Sequence, residues 1–232
     1  MAMNELHRPG RTLRILTANL YAERLDVGGF RELLKDLDLD VAVVQELSFA
    51  AAEVLGGVLP YGMLVPEEGH DGRGLALKAP AEMERLPMTF RDGLIARLEP
   101  PEWPGSLEII NIHMANPIMW PPWQSVRSRG RQLGVLLAHL GSPGSRLVAG
   151  DFNASPAWPV YRRLAARLDD AAVLVTKERG GRPVRTWGPT PSMPRLLRID
   201  HVFVEGLRPL DTRRVTIPGS DHSGLLVEVD LG

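Results

Sequence analysis

The sequence predicts an α+β domain of two packed β-sheets with helices on their outer faces. Three observations carry this. Short apolar runs of strand type recur from one end of the 232-residue chain to the other. A few helical patterns lie between them. No low-complexity linker, internal repeat or run of five like charges divides the chain, so residues 1–232 are expected to form a single domain. Many strands and few helices in one domain suit two packed sheets covered from outside.

The strand-type runs are Leu13–Asn19, Val41–Glu46, Gly74–Lys78, Gly93–Leu98, Leu107–Met114, Arg146–Ala149, Arg198–Val204, Arg213–Thr216 and Leu225–Val229. Several are apolar at almost every position, as strands covered on both faces are. Phe30, Leu33, Leu34 and Leu37 recur at helical spacing, and so do Leu133, Leu136, Leu137 and Leu140. In a third helix Ser155 is the expected N-cap and Pro156 the first helical residue. Its apolar face is Tyr161, Leu164 and Leu168. Gly- and Pro-rich stretches at 66–73, 99–105, 115–123 and 179–194 read as loops. The long last one suggests function.

Composition narrows the function. With 27 basic and 28 acidic residues the net charge is -1, without the basic balance of a broad duplex-DNA binder. The chain has no cysteine, which excludes disulfides and thiolate metal sites. It shows no signal-peptide core and no stretch long enough to span a bilayer. The expectation is a cytoplasmic monomer with no integral membrane segment.

The apolar runs share one peculiarity: they end in chemistry. LRILTAN ends in Asn19, VAVVQE in Glu46, EIINIH in His113 and LVAGDFN in Asp151 and Asn153. RIDH carries Asp200, and PGSDHSG carries Asp221 and His222. Alternation along a strand aligns Asp151 with Asn153, and Asn111 with His113. Each group alone is an ordinary turn or surface residue. A carboxylate at Asp200, inside a β-branched run, needs a partner if buried, and His222 is a natural one. Together they make a site.

In their order these segments resemble the endonuclease/exonuclease/phosphatase superfamily of Mg²⁺-dependent phosphoesterases. The matching pieces are TANLY, VVQE, INIH, GDFN, RIDHVFV and SDH, which span nearly the whole chain. Within the superfamily, GDFNA-P, the pair Thr186–Trp187 and LLRIDHV resemble a bacterial branch. The resemblance implies a four-layer αββα sandwich of two mainly antiparallel sheets with the site at one end. It implies Asn19, Glu46 and Asp221 at the metal, which is Mg²⁺ with Mn²⁺ as an alternative. It implies His113, Asp151, Asn153, Asp200 and His222 as the catalytic set. Asp200 would fix His222, Asp151 would orient or deprotonate water or protonate the leaving group, and Asn153 and His113 would meet the phosphate. The chain departs from the family pattern in Ser223–Gly224 after SDH and in LALKAP, which bear on the substrate subclass.

A phosphate-ester substrate is expected, first a phosphodiester: nucleic acid, or a small or lipid-headgroup diester. The alternatives are an inositol-phosphate-type phosphomonoesterase and a non-catalytic binding module with the same fold. Arg185 and Trp187 are candidate substrate contacts in the long loop. Trp120 and Trp123 would stack a base, touch lipid or pack on the body. Arg127, Arg129 and Arg131, two apart, splay around a helix as a solvated face. GHDGRG at 69–74 reads as a turn, with Arg73 a further candidate contact.

Overall fold

The computed structural model describes residues 12–99, 105–118 and 120–231. Most of the expected loop 99–105 lies outside them. Among the described residues twelve strands form two six-stranded sheets. The first contains β1 (Thr12–Asn19), β2 (Val41–Gln45), β3 (Tyr61–Val65), β4 (Arg73–Leu77), β11 (Arg208–Thr216) and β12 (Ser223–Asp230), in the order β11-β12-β1-β2-β4-β3. The second contains β5 (Glu82–Leu86), β6 (Gly93–Leu98), β7 (Leu107–His113), β8 (Arg146–Asp151), β9 (Asp169–Asp170) and β10 (Asp200–Glu205), in the order β5-β6-β7-β8-β10-β9. All nine expected strands are present; Gly93–Leu98 keeps both ends, and the other eight shift at one end or both.

Each sheet has one parallel pair at its centre, β1 with β2 and β7 with β8, among antiparallel neighbours. Parallel strands end at the same edge, so Asn19 lies opposite Gln45, just before Glu46, and His113 opposite Asp151. The antiparallel neighbour β10 begins where β8 ends, with Asp200 opposite Asp151. Strand β12 likewise begins just after Asp221 and His222. The polar ends seen in the sequence therefore collect at one rim.

Three apolar clusters make the layers. Leu16, Ala18 and Val44 of the first sheet pack on Phe30 and Leu34 of α1 (Val27–Leu37) and on Ala51 and Leu55 of α2 (Phe49–Val58). Ile15, Val43 and Val227 meet Ala96, Ile109 and Val202 between the sheets. Ile110, Ile112, Val148 and Phe203 pack on Leu133 and Leu136 of α3 (Pro122–Leu140) and on Tyr161 and Leu164 of α4 (Pro159–Ala165). The order is helix, sheet, sheet, helix, as the superfamily resemblance implies. A fifth helix, α5 (Ala171–Arg179), follows β9 directly.

One local expectation fails. The third helix is capped by Trp158 with Pro159 in its first turn, and Ser155 precedes it. The Trp158 amide donates to the Ser155 carbonyl at 2.9 Å, so residues 155–158 form a turn. A second proline three positions on offers a later first-turn site, and the chain uses that one.

Candidate active site

Gly150 shows how tightly the site is built. An added Cβ there would lie 1.9 Å from the Ile112 carbonyl oxygen, and its φ is 144°. Only glycine lets β8 approach β7 this closely and still deliver Asp151. Glu46 and Asn153 have φ of 53° and 48°. Asn tolerates this left-handed region, whereas a glutamate there is strained by on the order of 1 kcal/mol.

Asp151 is the hub. Its Oδ2 accepts from Asn19 Nδ2 at 3.2 Å and from Asn153 Nδ2 at 3.3 Å. His113 Nε2 lies 3.7 Å from the same oxygen and His222 Nε2 3.9 Å. The Asn153 amide N–H closes a turn onto Asp151 Oδ1 at 2.8 Å. Asn153 Nδ2 also donates to the Met114 carbonyl at 3.0 Å. Both Asn153 amide hydrogens are thus committed within the protein, and its geometry is that of a group holding Asp151.

Asp200 and His222 are partners. The Nδ1 of His222 lies 2.9 and 3.1 Å from the two Asp200 oxygens, with Asp200 fully buried. Burial alone would lower the His222 pKa, but Asp200, then Asp151 and Asp221, outweigh it and push it up to about 9. Burial, with help from the Asp200 charge, raises Asp151 to about 7. Burial also takes His113 well below the usual imidazole range, with Arg91 and His222 adding to the effect. At neutral pH the rim therefore holds a cationic His222, a neutral His113 and an Asp151 near its midpoint.

Asn19 links this cluster to Glu46, donating from Nδ2 to Glu46 Oε1 at 2.9 Å. Asp221 accepts from Trp187 Nε1 at 3.1 Å through Oδ2, while its Oδ1 is buried without a partner among the described residues. A buried, unpartnered carboxylate oxygen beside a second carboxylate fits a hard cation. The residues that would hold it are Asn19, Glu46 and Asp221. Ligand atoms of Asp151, Asp200 and His222 lie within 4.8 Å of one another. Asp200 gives both oxygens to His222, so we read this group as acid–base machinery.

Glu46, His113, Asp151, Asn153, Trp187, Asp221 and His222 line one cleft of about 620 Å³. Arg185 is exposed and does not line it. Trp120 and Trp123 are 85% and 60% exposed, so packing on the body is overturned for both. Arg127 and Arg131 are exposed, but Arg129 is buried. Arg129 donates to the Asn153 carbonyl at 2.7 Å and stacks its guanidinium 4.4 Å from the Trp158 ring centre. The solvated-face reading therefore fails for Arg129.

Sequence reasoning gave several contributors no role of their own in the site. The Thr186 hydroxyl accepts from the Ile199 and Asp200 amides, each at 3.2 Å, and fixes where β10 begins. Arg195 donates to the Ser220 and His222 carbonyls and holds the SDH turn. Arg91 lines the cleft, its Nε bound to Asp71 at 2.6 Å. His70, read as part of a turn, reaches Glu46 Oε2 with Nδ1 at 2.5 Å. Beneath the rim, Gln45 Nε2 donates to Asn111 Oδ1 at 2.8 Å, and Asn111 donates to the Val44 and Gly74 carbonyls. This buried bridge ties the sheets together directly below the site.

Solved structures share the fold. An endonuclease/exonuclease/phosphatase from Bacteroides vulgatus superposes with a TM-score of 0.73 at 16% identity, over 96% of this chain and 100% of that one. TDP2 of D. rerio, complexed with a single strand DNA product, gives 0.68 at 20% identity over 94% and 99%. A mannosyl-6-phosphatase of Bacteroides thetaiotaomicron gives 0.69 at 15% identity over 94% and 99%. No curated relative matches the sequence. Among the described residues no helix is long and apolar enough to cross a membrane. The Endonuclease/Exonuclease/phosphatase family model matches residues 16–222, from within β1 to His222, and the chain belongs to that family of metal-dependent phosphoester hydrolases.

Proposed function

We propose that the chain hydrolyses a phosphodiester by attack of water, with a divalent cation, Mg²⁺ or Mn²⁺, held by Asn19, Glu46 and Asp221. The observation that carries this is the convergence on Asp151 Oδ2, where Asn19, His113, Asn153 and His222 meet from four segments within 3.9 Å. A carboxylate raised to about 7 can take a proton from water near neutral pH. Asn19 and Asn153 fix its orientation. His222, cationic and steered by Asp200, presents its Nε2 edge to phosphoryl oxygens. The neutral His113 supplies a further ring edge beside the same carboxylate. The cation, when bound, stabilises charge on the phosphoryl oxygens and on the departing alkoxide.

Turnover of bis-p-nitrophenyl phosphate and p-nitrophenyl phosphate with Mg²⁺, with Mn²⁺ and with EDTA tests the reading. Diester hydrolysis that disappears in EDTA is the expected result. Hydrolysis of the monoester alone would favour the inositol-phosphate-type reading, for which Arg91, in the same cleft as His222, offers a second cation to a dianionic group. No turnover of either ester with either ion would make the protein a binding module.

A further inference from the structure

We propose that His70 is a nitrogen ligand of the cation held at Glu46 and Asp221, and that its imidazole shifts the preference of the site from Mg²⁺ toward Mn²⁺. The inference rests on the reading above only in placing a cation at Glu46.

Glu46 has two carboxylate oxygens. Asn19 Nδ2 binds Oε1 at 2.9 Å, and His70 Nδ1 lies 2.5 Å from Oε2. A cation approaching Oε2 therefore meets the imidazole. Asp221 Oδ1 has no partner among the described residues, and its residue is only 8% exposed. Glu46, His70 and Asp221 line the same cleft, but their ligand atoms do not all lie within 4.8 Å of one another, so a shared cation requires these side chains to draw together.

The loop that carries His70 is fastened to the residue after Glu46. Leu47 accepts from the Glu67 amide at 3.1 Å. Gly72 lies so close that an added Cβ would stand 2.0 Å from the Leu47 carbonyl oxygen. The Gly69 amide donates to Glu23 Oε1 at 3.0 Å, and Asp71 takes Arg91 Nε at 2.6 Å. Ties on both sides of His70 hold it over Glu46. Its ring remains largely exposed and can shift.

Ligand atoms about 2.1 Å from an octahedral ion, at right angles to each other, are roughly 3.0 Å apart. Nδ1 and Oε2 need to separate by about half an ångström, and the proton between them has to leave, with Nε2 carrying the ring's remaining hydrogen, for the two atoms to become a chelating pair. Mg²⁺ prefers oxygen ligands and gives up water reluctantly; Mn²⁺ also suits oxygen ligands but, as the first member of the transition-ion affinity series, accepts an imidazole more readily than Mg²⁺ does. Exchanging one oxygen donor for His70 in a set of Asn19, Glu46 and Asp221 accordingly penalises Mg²⁺ more than Mn²⁺.

The test is direct binding to the full-length chain stripped with EDTA. Mn²⁺ is followed by electron paramagnetic resonance and Mg²⁺ by calorimetry, for the wild type, His70→Ala, His70→Gln and Glu46→Gln. His70→Ala should lose about tenfold or more in Mn²⁺ affinity, with Mg²⁺ affinity held within about twofold. The ¹⁴N modulation of bound Mn²⁺ should weaken in the same variant. His70→Gln should show the same loss and covers the case in which alanine unsettles the loop; melting curves report folding. Unchanged Mn²⁺ affinity and unchanged ¹⁴N modulation would overturn the proposal. Tighter binding of both ions by His70→Ala would also overturn it, because His70 would then be a competitor of the cation. If Glu46→Gln keeps its Mn²⁺, or the wild type binds neither ion, the metal set of the functional reading fails as well. Loss of effect at His70 alone leaves that reading standing.

Discussion

At the scale of single residues, the site works by setting neighbouring groups to different charges. His222 owes its cationic form to Asp200. With Asp200→Asn the two strongest influences that raise it are lost, only Asp151 and Asp221 remain to oppose burial, and the His222 pKa should fall from about 9. Activity should drop by roughly 100-fold or more, since the ring loses its charge and its fixed orientation. An NMR titration of His222 in both proteins checks this, and an unmoved pKa would separate the two residues. Asp151 makes the opposite kind of statement about stability. Its folded pKa is raised from near 4 to about 7, so its favourable contribution is complete below pH 4 and is lost as pH rises through 7. Asp151→Asn should therefore abolish most activity yet stabilise the metal-free protein at pH 8, by on the order of 1–4 kcal/mol. The gain should fade toward pH 4, and urea melts in EDTA at both pH values measure it. Both partners of the Asp200–His222 pair were legible in the sequence, because a carboxylate inside RIDHVFV demands a counter-charge. His70 was not: GHDGRG carries ordinary turn residues, and only the fold brings that turn against Glu46.

At the scale of elements, legibility followed burial. The nine strands recognised in the sequence include the four central ones, β1, β2, β7 and β8, whose runs are nearly all apolar. The edge strands β3 and β5 were missed, since YGMLV is partly exposed and EMERL is mostly charged and exposed. Helix α2, FAAAEVLGGV, is apolar around most of its circumference and shows no period to read. Helix α5 begins at a cap that also serves the core. Asp170 accepts from the Val173 amide at 3.2 Å, from Arg198 at 2.6 Å and from the Tyr161 hydroxyl at 2.9 Å. Burial alone would raise the Asp170 pKa, but His201, 3.6 Å away, and Arg198 outweigh it and hold it at about 2. Its stabilisation is therefore present above pH 4 and lost as pH falls through 2. Asp170→Asn leaves Arg198 buried with a neutral partner and should cost about 3–5 kcal/mol at pH 7. The deficit should shrink between pH 4 and pH 2. Urea denaturation across that range reads it, and a deficit independent of pH would assign the loss to the helix cap instead.

At the scale of the whole molecule, the two central parallel pairs direct four strand ends to one rim, and the surface beside that rim is unusual. Ile118, Trp120, Trp123 and Val126 are all more than half exposed, although apolar patches of this kind are uncommon on soluble proteins unless something binds there. Pro117 and Trp158 line both the catalytic cleft and a neighbouring groove that contains Val126, Arg129 and Arg163. Trp123, Arg127 and Arg131 recur every four residues along α3, which gives one stripe of an aromatic ring and two exposed cations. A chain of bases with a phosphate backbone matches that stripe, and the net charge of -1 suits a single strand better than a long duplex. Trp120→Ala and Trp123→Ala should each weaken single-stranded DNA binding by about 1–3 kcal/mol. Turnover of a small chromogenic diester should stay within about twofold, because that ester reaches only the phosphate groups, and melting temperature should hold because both rings are exposed. Trp187→Ala should behave differently. Its indole bonds Asp221, so the small diester should suffer too. Fluorescence-anisotropy titrations with an oligonucleotide, run beside the chromogenic assay, separate the two classes. A loss seen on anionic vesicles and absent on oligonucleotides would reassign the patch to a lipid surface, and equal losses on every substrate with a lower melting temperature would mean that the substitutions disturb the fold and that the patch binds neither.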